Sequence, residues 1–197
     1  MQIEGRDRDT GATVEIKASH GNILANASGG KYTEAALAGR LFHSANINMV
    51  TTSTTLNTTF VGLALGNPAG SGKIVIVHEF GYAFATAAAA ALVLGLAVGP
   101  VGDMANDTNA PITCAYPGKA GSVCYTDEGC ASGTLVLVKI ISQKADANIN
   151  TYVSAPRVVD LGGSIILPAG QGVFTDTTTA AGASNAQFSF MWEEIDA

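Results

Sequence analysis

Three cysteines, Cys114, Cys124 and Cys130, lie close together with the spacing C-x9-C-x5-C. Thiols so placed can hold zinc or close a disulfide, but zinc pairs are usually about two to four residues apart and often joined by histidine. No His lies near them. An odd number excludes a fully paired set within one chain. Three reduced thiols, one disulfide with one free thiol, and a bond between subunits all fit. Reduced thiols are the default where no export signal is present.

The three histidines are His20, His43 and His78. The run His78-Glu79-Phe80-Gly81-Tyr82 begins like a zinc-protease motif, but Tyr82 stands where the second His is required. The segment also reads as strand, whereas that motif needs a helix to bring both imidazoles to one face. His78 is therefore expected to be a hydrogen-bonded strand or interface residue. Asp103, Asn106, Asp107 and Asn109 could offer oxygens to calcium, but the closing Glu of a helix-loop-helix calcium site is missing. Glu193 and Glu194 point to opposite faces of a strand, so they cannot act as a paired acid and base. Neither a G-x-S-x-G elbow nor a Lys-Ser or Lys-Thr phosphate loop occurs. The expectation is a non-enzymatic protein with no cofactor and no metal ion.

Composition bounds the scaffold that holds these residues. The chain has 197 residues, 47% hydrophobic and 13% charged, with 16 acidic residues against 10 Lys plus Arg and a net charge of −6. The charged fraction is about half the usual ~25%, and disorder needs the opposite combination of high charge and low hydrophobicity. The basic residues make no run beyond Arg6 and Arg8, so no direct nucleic-acid partner is expected. Sparse surface charge suits a subunit that shares its surface with neighbours.

Tyr82 to Val98 is uncharged and mostly Ala. A membrane span needs about 20 apolar residues, and this run is broken by Thr86 and Gly95 and closed by Gly99-Pro100. A hairpin of two buried strands, Lys73 to Ala85 and Ala89 to Val98, explains it without a membrane. The N-terminus MQIEGRDRDTG is polar and is not expected to be a secretory signal.

Thr13 to Lys17 and Asn22 to Asn26 read as short strands, and Tyr32 to Phe42 as one or two helical turns or an extended arm, with Thr33 a possible cap and Gly39 weakening its end. From Ile47 to Phe60 the Thr-, Val- and Leu-rich sequence alternates like a strand. Asn67 to Gly72 is a turn. Residues 102–130 form a long loop whose length points to binding or contact. Thr134 to Ser142 is the clearest strand, with Lys139 marking a solvated edge, and Asn148 to Val153 is a shorter one. Ile165 to Leu167, the Pro168-Ala169-Gly170 turn and Gly172 to Thr177 follow. Ala186 to Ile195 alternates, placing Phe188, Phe190 and Trp192 on one face as core aromatics. About eight strands with short turns predict an all-β antiparallel sandwich of jelly-roll type, preceded by an extended N-terminal arm.

The run VVDLGGSIILPAGQGVFTDTTTAAG with AQFSFMWEEI resembles the closing strands of small tailed-phage virion proteins. FVGLALGNPAGSGKIVIVHEF resembles their earlier strand, turn and strand, and AGRLFHSAN the junction of their arm and β-domain. The likeness covers most of residues 35 to 195, departing most at 102–130. It implies a capsid decoration (cement) protein: a homotrimer with a jelly-roll-like domain, located on the virion, made in the host cytoplasm, and partnered by the major capsid protein. On that reading residues 1–44 are the shell-contacting arm, through Glu4, Arg6, Arg8, Glu15 and Lys17, and residues 46–197 the trimeric domain. The alternative is a head-fibre or tail host-attachment domain that binds glycans, with Tyr116 and Tyr125 as stacking surfaces on the long loop.

Overall fold

The structure, a computed structural model, describes residues 30–54, 56–84, 91–144, 157–179 and 186–197, with the backbone of four short strands before residue 30. The chain divides into two units, Met1–Glu34 and Ala35–Ala197.

In the first unit β1 (Glu4–Arg6) pairs antiparallel with β2 (Thr13–Glu15), and β3 (Ala18–Ser19) with β4 (Asn22–Ile23). The expected strands at Thr13 and Asn22 are present in shortened form, each with a partner that the alternation pattern did not reveal. Glu4, Arg6 and Glu15 stand on β1 and β2, with Glu4 opposite Glu15. Arg8 and Lys17 lie outside the described residues.

Helix α1 (Thr33–Leu37) leads into the second unit. It stops at Gly39, whose φ of 75° is the left-handed conformation that favours glycine. There the Arg40 amide donates to Ala35 O and the Gly39 amide to Ala36 O, both at 2.9 Å. That pair of bonds satisfies the last helical carbonyls and turns the chain into β5 (Leu41–Ala45).

Nine further strands follow among the described residues: β6 (Thr59–Gly66), β7 (Lys73–Phe84), β8 (Leu92–Pro100), β9 (Ile112–Cys114), β10 (Tyr125–Ala131), β11 (Val136–Lys144), β12 (Arg157–Leu167), β13 (Gln171–Thr177) and β14 (Ala186–Asp196). They form two five-stranded antiparallel sheets, β10-β6-β13-β8-β11 and β12-β7-β14-β5-β9. With β9 and β10 set aside, the first of the remaining strands pairs with the last, the second with the seventh, the third with the sixth and the fourth with the fifth. A long antiparallel ribbon rolled so that its strands alternate between sheets produces this order, which is a jelly roll. β9 and β10 come from the connection between β8 and β11 and add one strand to each sheet.

Apolar side chains fill both faces of one sheet. The main core lies between the sheets and includes Leu63, Leu65, Val75, Val77, Phe80, Leu94, Leu96, Val173, Phe188, Phe190 and Trp192. A second cluster, Phe60, Ala64, Ala97, Cys130 and Phe174 with Val101, Met104 and Leu135, covers the other face of the β6–β13–β8 region. Val173 and Phe174 are neighbours in sequence and so point to opposite clusters. Phe60 and Phe174 meet edge to face at 5.2 Å.

Several expectations are corrected. β7 and β8 do not form a hairpin, because the roll sends them to opposite sheets. Among its described residues, the segment expected to be a strand from Ile47 holds only isolated bridges at Val50 and Thr54 before β6 begins at Thr59. The compact unit begins at Ala35 rather than 46, since β5 pairs with both β14 and β9. Residues 102–130 are not a simple loop, as they contain β9 and most of β10. The expected strand at Asn148 to Val153 lies outside the described residues. No helix among the described residues is long and apolar enough to cross a membrane.

Candidate functional site

The outer face of the β12-β7-β14-β5-β9 sheet carries a trough running across the strands. Its floor is set by register: Ala45 lies opposite Ser189, Ser189 opposite Gly81, and Gly81 opposite Val158. Three small residues in a row leave the backbone uncovered. A Cβ at Gly81 would meet Ser189 Oγ, so a larger side chain there displaces that hydroxyl and occupies the floor. One wall is the next outward row, Thr113, His43, Met191, Glu79 and Asp160, about 7 Å away at two residues per pleat. Gln187, opposite Ala83, stands on the other side. The hollow comprises two adjoining cavities of about 360 and 440 Å³ that share Ala45, Gly81, Val158 and Ser189. Arg157 and Asn46 line its far end.

Burial holds the His43 imidazole below its ordinary value, against the opposing pull of Glu79. A neutral imidazole, a carboxylate, hydroxyls, an amide and a guanidinium thus share one groove. Such a lining can hydrogen-bond an elongated polar ligand. Beyond the trough, Glu193 accepts from Arg40 Nε at 3.0 Å and lies 3.4 Å from His78 Nε2. His78 is accordingly a strand residue beside a carboxylate. Near Asn46, Glu128 is raised above the ordinary carboxylate value by burial and by Asp107 and Asp127, although Asn46 Nδ2 donates to it at 2.6 Å.

The core aromatics are where the alternation places them. Phe80 packs at 5.8 Å from Phe188 and 5.2 Å from Phe190, and Phe42 at 6.1 Å from Trp192. The cysteines are not brought together as a set. Cys124 belongs to the main core, Cys130 to the second cluster, and Cys114 packs at the edge of the main core; all three are free. Burial raises the Cys124 thiol strongly, assisted by Glu194, and pushes Cys130 up to about 12 with help from Asp127 and Asp103. Thiols so raised are poor nucleophiles and poor metal ligands at neutral pH.

The acidic residues of the 102–130 segment fasten their own backbone. Asp103 Oδ1 accepts from the Ala131 amide at 2.6 Å, and Asp107 Oδ1 from Asn109 at 2.8 Å. Asp127 accepts from Ala105 and Gly129. No group of three or more His, Cys, Asp or Glu among the described residues could hold a metal ion. Tyr116 is exposed, with Lys119 Nζ 5.5 Å from its ring, whereas Tyr125 packs against the second cluster. Only Tyr116 of that pair presents a surface.

Two features lacked a local signal. Glu194 is buried, accepting from Ser122 Oγ, from the Val123 amide at 3.2 Å and from Trp192 Nε1 at 3.2 Å, and so fastens the 115–124 segment to β14. The trough residues His43, Glu79, Gly81, Val158 and Ser189 meet only through strand register. Their nearest sequence clue is the polar alternate face of β14. β11 is an edge strand, as Lys139 indicated, and Lys139 Nζ reaches Ser164 Oγ on β12 at 3.2 Å. Comparison with protein-family models, curated proteins and solved structures finds no match for this chain.

Proposed function

We propose that this chain is a non-enzymatic structural virion protein, a capsid decoration (cement) protein that binds and stabilises the shell of the major capsid protein as a homotrimer. The observation that carries the reading is the division of the chain. Both five-stranded sheets are built from strands between Leu41 and Asp196, and the first unit contributes no described strand to either. The jelly roll therefore has its own hydrophobic core, while the first unit concentrates Glu4, Arg6, Asp7, Arg8, Asp9, Glu15 and Lys17. A small charged unit can gain backbone partners by adding to a sheet edge on another protein. The resemblance of residues 35 to 195 to phage virion proteins supports the same reading.

Purified shells lacking this protein provide the test. Adding the full chain should raise the temperature at which they rupture. A chain starting at Ala35 should stay folded but bind at least about tenfold more weakly, a loss of ~1.4 kcal/mol. Unchanged rupture with the full chain refutes cementing, and equal binding by the truncated chain refutes the role of the first unit.

The trough favours a second reading, host attachment through a glycan. Its mixed polar lining and its volume suit a short saccharide. On this reading the isolated protein binds a glycan, and Gly81→Val, which fills the floor, abolishes binding. A glycan screen with no hit, or a hit indifferent to that substitution, refutes it.

A further inference from the structure

We infer that copies of this chain join along the side of the sandwich formed by β11 and β12. This gives the homotrimer of the proposed function a contact surface and rests on that reading only for the number three.

The four sheet edges differ in how they are protected. β9 is only three residues long. β10 carries Asp127 and Glu128 and a register shift between Asp127 and Gly129. β12 carries Arg157 and Asp160, with a register shift between Asp160 and Ile165. Short length, charge and bulges are the usual devices that keep an edge from pairing. β11 is long, at nine residues, and although its pairing with β8 shifts register twice, its exposed side chains from Val136 to Ile140 are apolar, with Gln143 exposed near its end. Val136 is 57% exposed, Leu137 43%, Val138 47% and Ile140 67%. On β12, Ile166 is 58% exposed, while Val158 belongs to the trough. From Val136 to Gln143 the one charged residue is Lys139, whose ammonium is held by Ser164 across the side of the sandwich.

Area and charge identify the occupant. The four β11 side chains and Ile166, exposed to about half their area, present on the order of 250 Å² of apolar surface, at roughly 100 Å² per fully buried side chain. A stable protein interface buries about 800 Å² on each partner, a little over half of it apolar. The β11–β12 side supplies about half of that apolar share. The chain carries a net charge of −6, so copies repel one another wherever acidic residues face. β11 has Lys139 as its one charge up to Gln143, and β12 adds Arg157 and Asp160 of opposite sign, so this side presents no acidic excess for a second copy to meet.

The test uses the full chain, its mass measured by sedimentation equilibrium at micromolar concentration. The wild type should sediment as a closed oligomer, a trimer if the proposed function holds. The double variant Val138→Lys with Ile140→Lys buries two unpaired ammonium groups at any contact on this side, so self-association should weaken at least about 100-fold. Ile140→Ala introduces no charge and should weaken it by about tenfold. Ala131→Lys, exposed on β10 at the opposite edge of the sheet, should leave the mass unchanged. Circular dichroism and thermal unfolding confirm that each variant is folded. A monomeric wild type, or a folded lysine variant that keeps the wild-type mass, overturns the inference. Shell binding is measured separately, so an oligomer that ignores shells removes the decoration role and leaves this contact standing.

Discussion

Asn67 ties two turns together, and its replacement offers a quantitative test of the roll. The side chain is fully buried. Its Nδ2 donates to Lys73 O at 2.8 Å and to Leu167 O at 3.0 Å, linking the β6–β7 turn to the end of β12. Its backbone adds bonds to Gln171 O at 2.9 Å and from the Gly170 amide at 2.8 Å. Asn67→Ala keeps the backbone bonds and strips the donors from two carbonyls. Each orphaned carbonyl costs about 1–3 kcal/mol, with the high end for a fully buried one. The Leu167 bond is buried and the Lys73 bond partly so. The expected loss is therefore about 2–4 kcal/mol, a large share of the ~5–15 kcal/mol typical of a domain. The melting temperature should fall by roughly 5–15 °C.

Asn67→Asp sharpens the test because it preserves shape. An ionised carboxylate sets the oxygen that replaces Nδ2 against both carbonyls, whereas the protonated acid recovers one donor. The folded state thus favours the protonated form and raises the acid's pKa above its unfolded value of about 3.9. With a raised folded pKa, the folded state binds more protons, so stability relative to wild type falls as pH rises from about 4 through the folded pKa. Urea unfolding of both proteins across that range measures the difference. A deficit that does not change with pH, or a variant within ~0.5 kcal/mol of wild type at pH 7, would refute the assigned hydrogen bonds.

Glu194→Ala leaves the Ser122 hydroxyl, the Val123 amide and the Trp192 indole without their acceptor; it should cost about 3–5 kcal/mol, and Glu194→Gln distinctly less, by denaturant unfolding. Thiol labelling at pH 8 should modify Cys114 first, while Cys124 and Cys130 react only on unfolding, since both are buried and their thiols are raised. A fast-reacting Cys124 in the folded protein would contradict this. His43 is held below its ordinary value of 6.5, so the unfolded chain binds the extra proton first and stability falls as pH drops below about 6.5, levelling once the folded imidazole protonates. His43→Gln should flatten that part of the pH–stability curve, and an unaltered curve counts against burial as the cause.

β14 was legible because it has one dry face and one wet one. Alternation from Ala186 to Glu194 places Phe188, Phe190 and Trp192 inward, and a register shift between Met191 and Trp192 disturbs only the spacing of its partner. β6 and β13 lose that period because the second cluster buries their other face as well. The same loss of period makes the apolar stretch from Lys73 to Val98 look like two strands that must pair. Nothing local distinguishes a hairpin from a crossing between sheets, since both connect consecutive strands. β10 was hidden for the opposite reason: its sequence YTDEGCA has weak strand propensity, and its conformation is imposed by pairing with β6.

The trough lies beyond local reading altogether. Ala45, Gly81, Val158 and Ser189 come from four strands, and each is unremarked in its own neighbourhood; only register sets three small residues beside a valine. The β11 edge makes the complementary point. TLVLVKIIS carries the strongest strand signal in the chain, and such a signal ordinarily marks a strand buried on both sides. The roll instead places it last in its sheet, with Val136, Leu137, Val138 and Ile140 exposed. Hydrophobicity that is excessive for an edge is the mark of a surface that is buried somewhere other than in its own chain. Lys139 had already indicated that this strand meets water in the monomer. The apolar residues around it, read with the sheet order, are what the proposed contact between copies rests on.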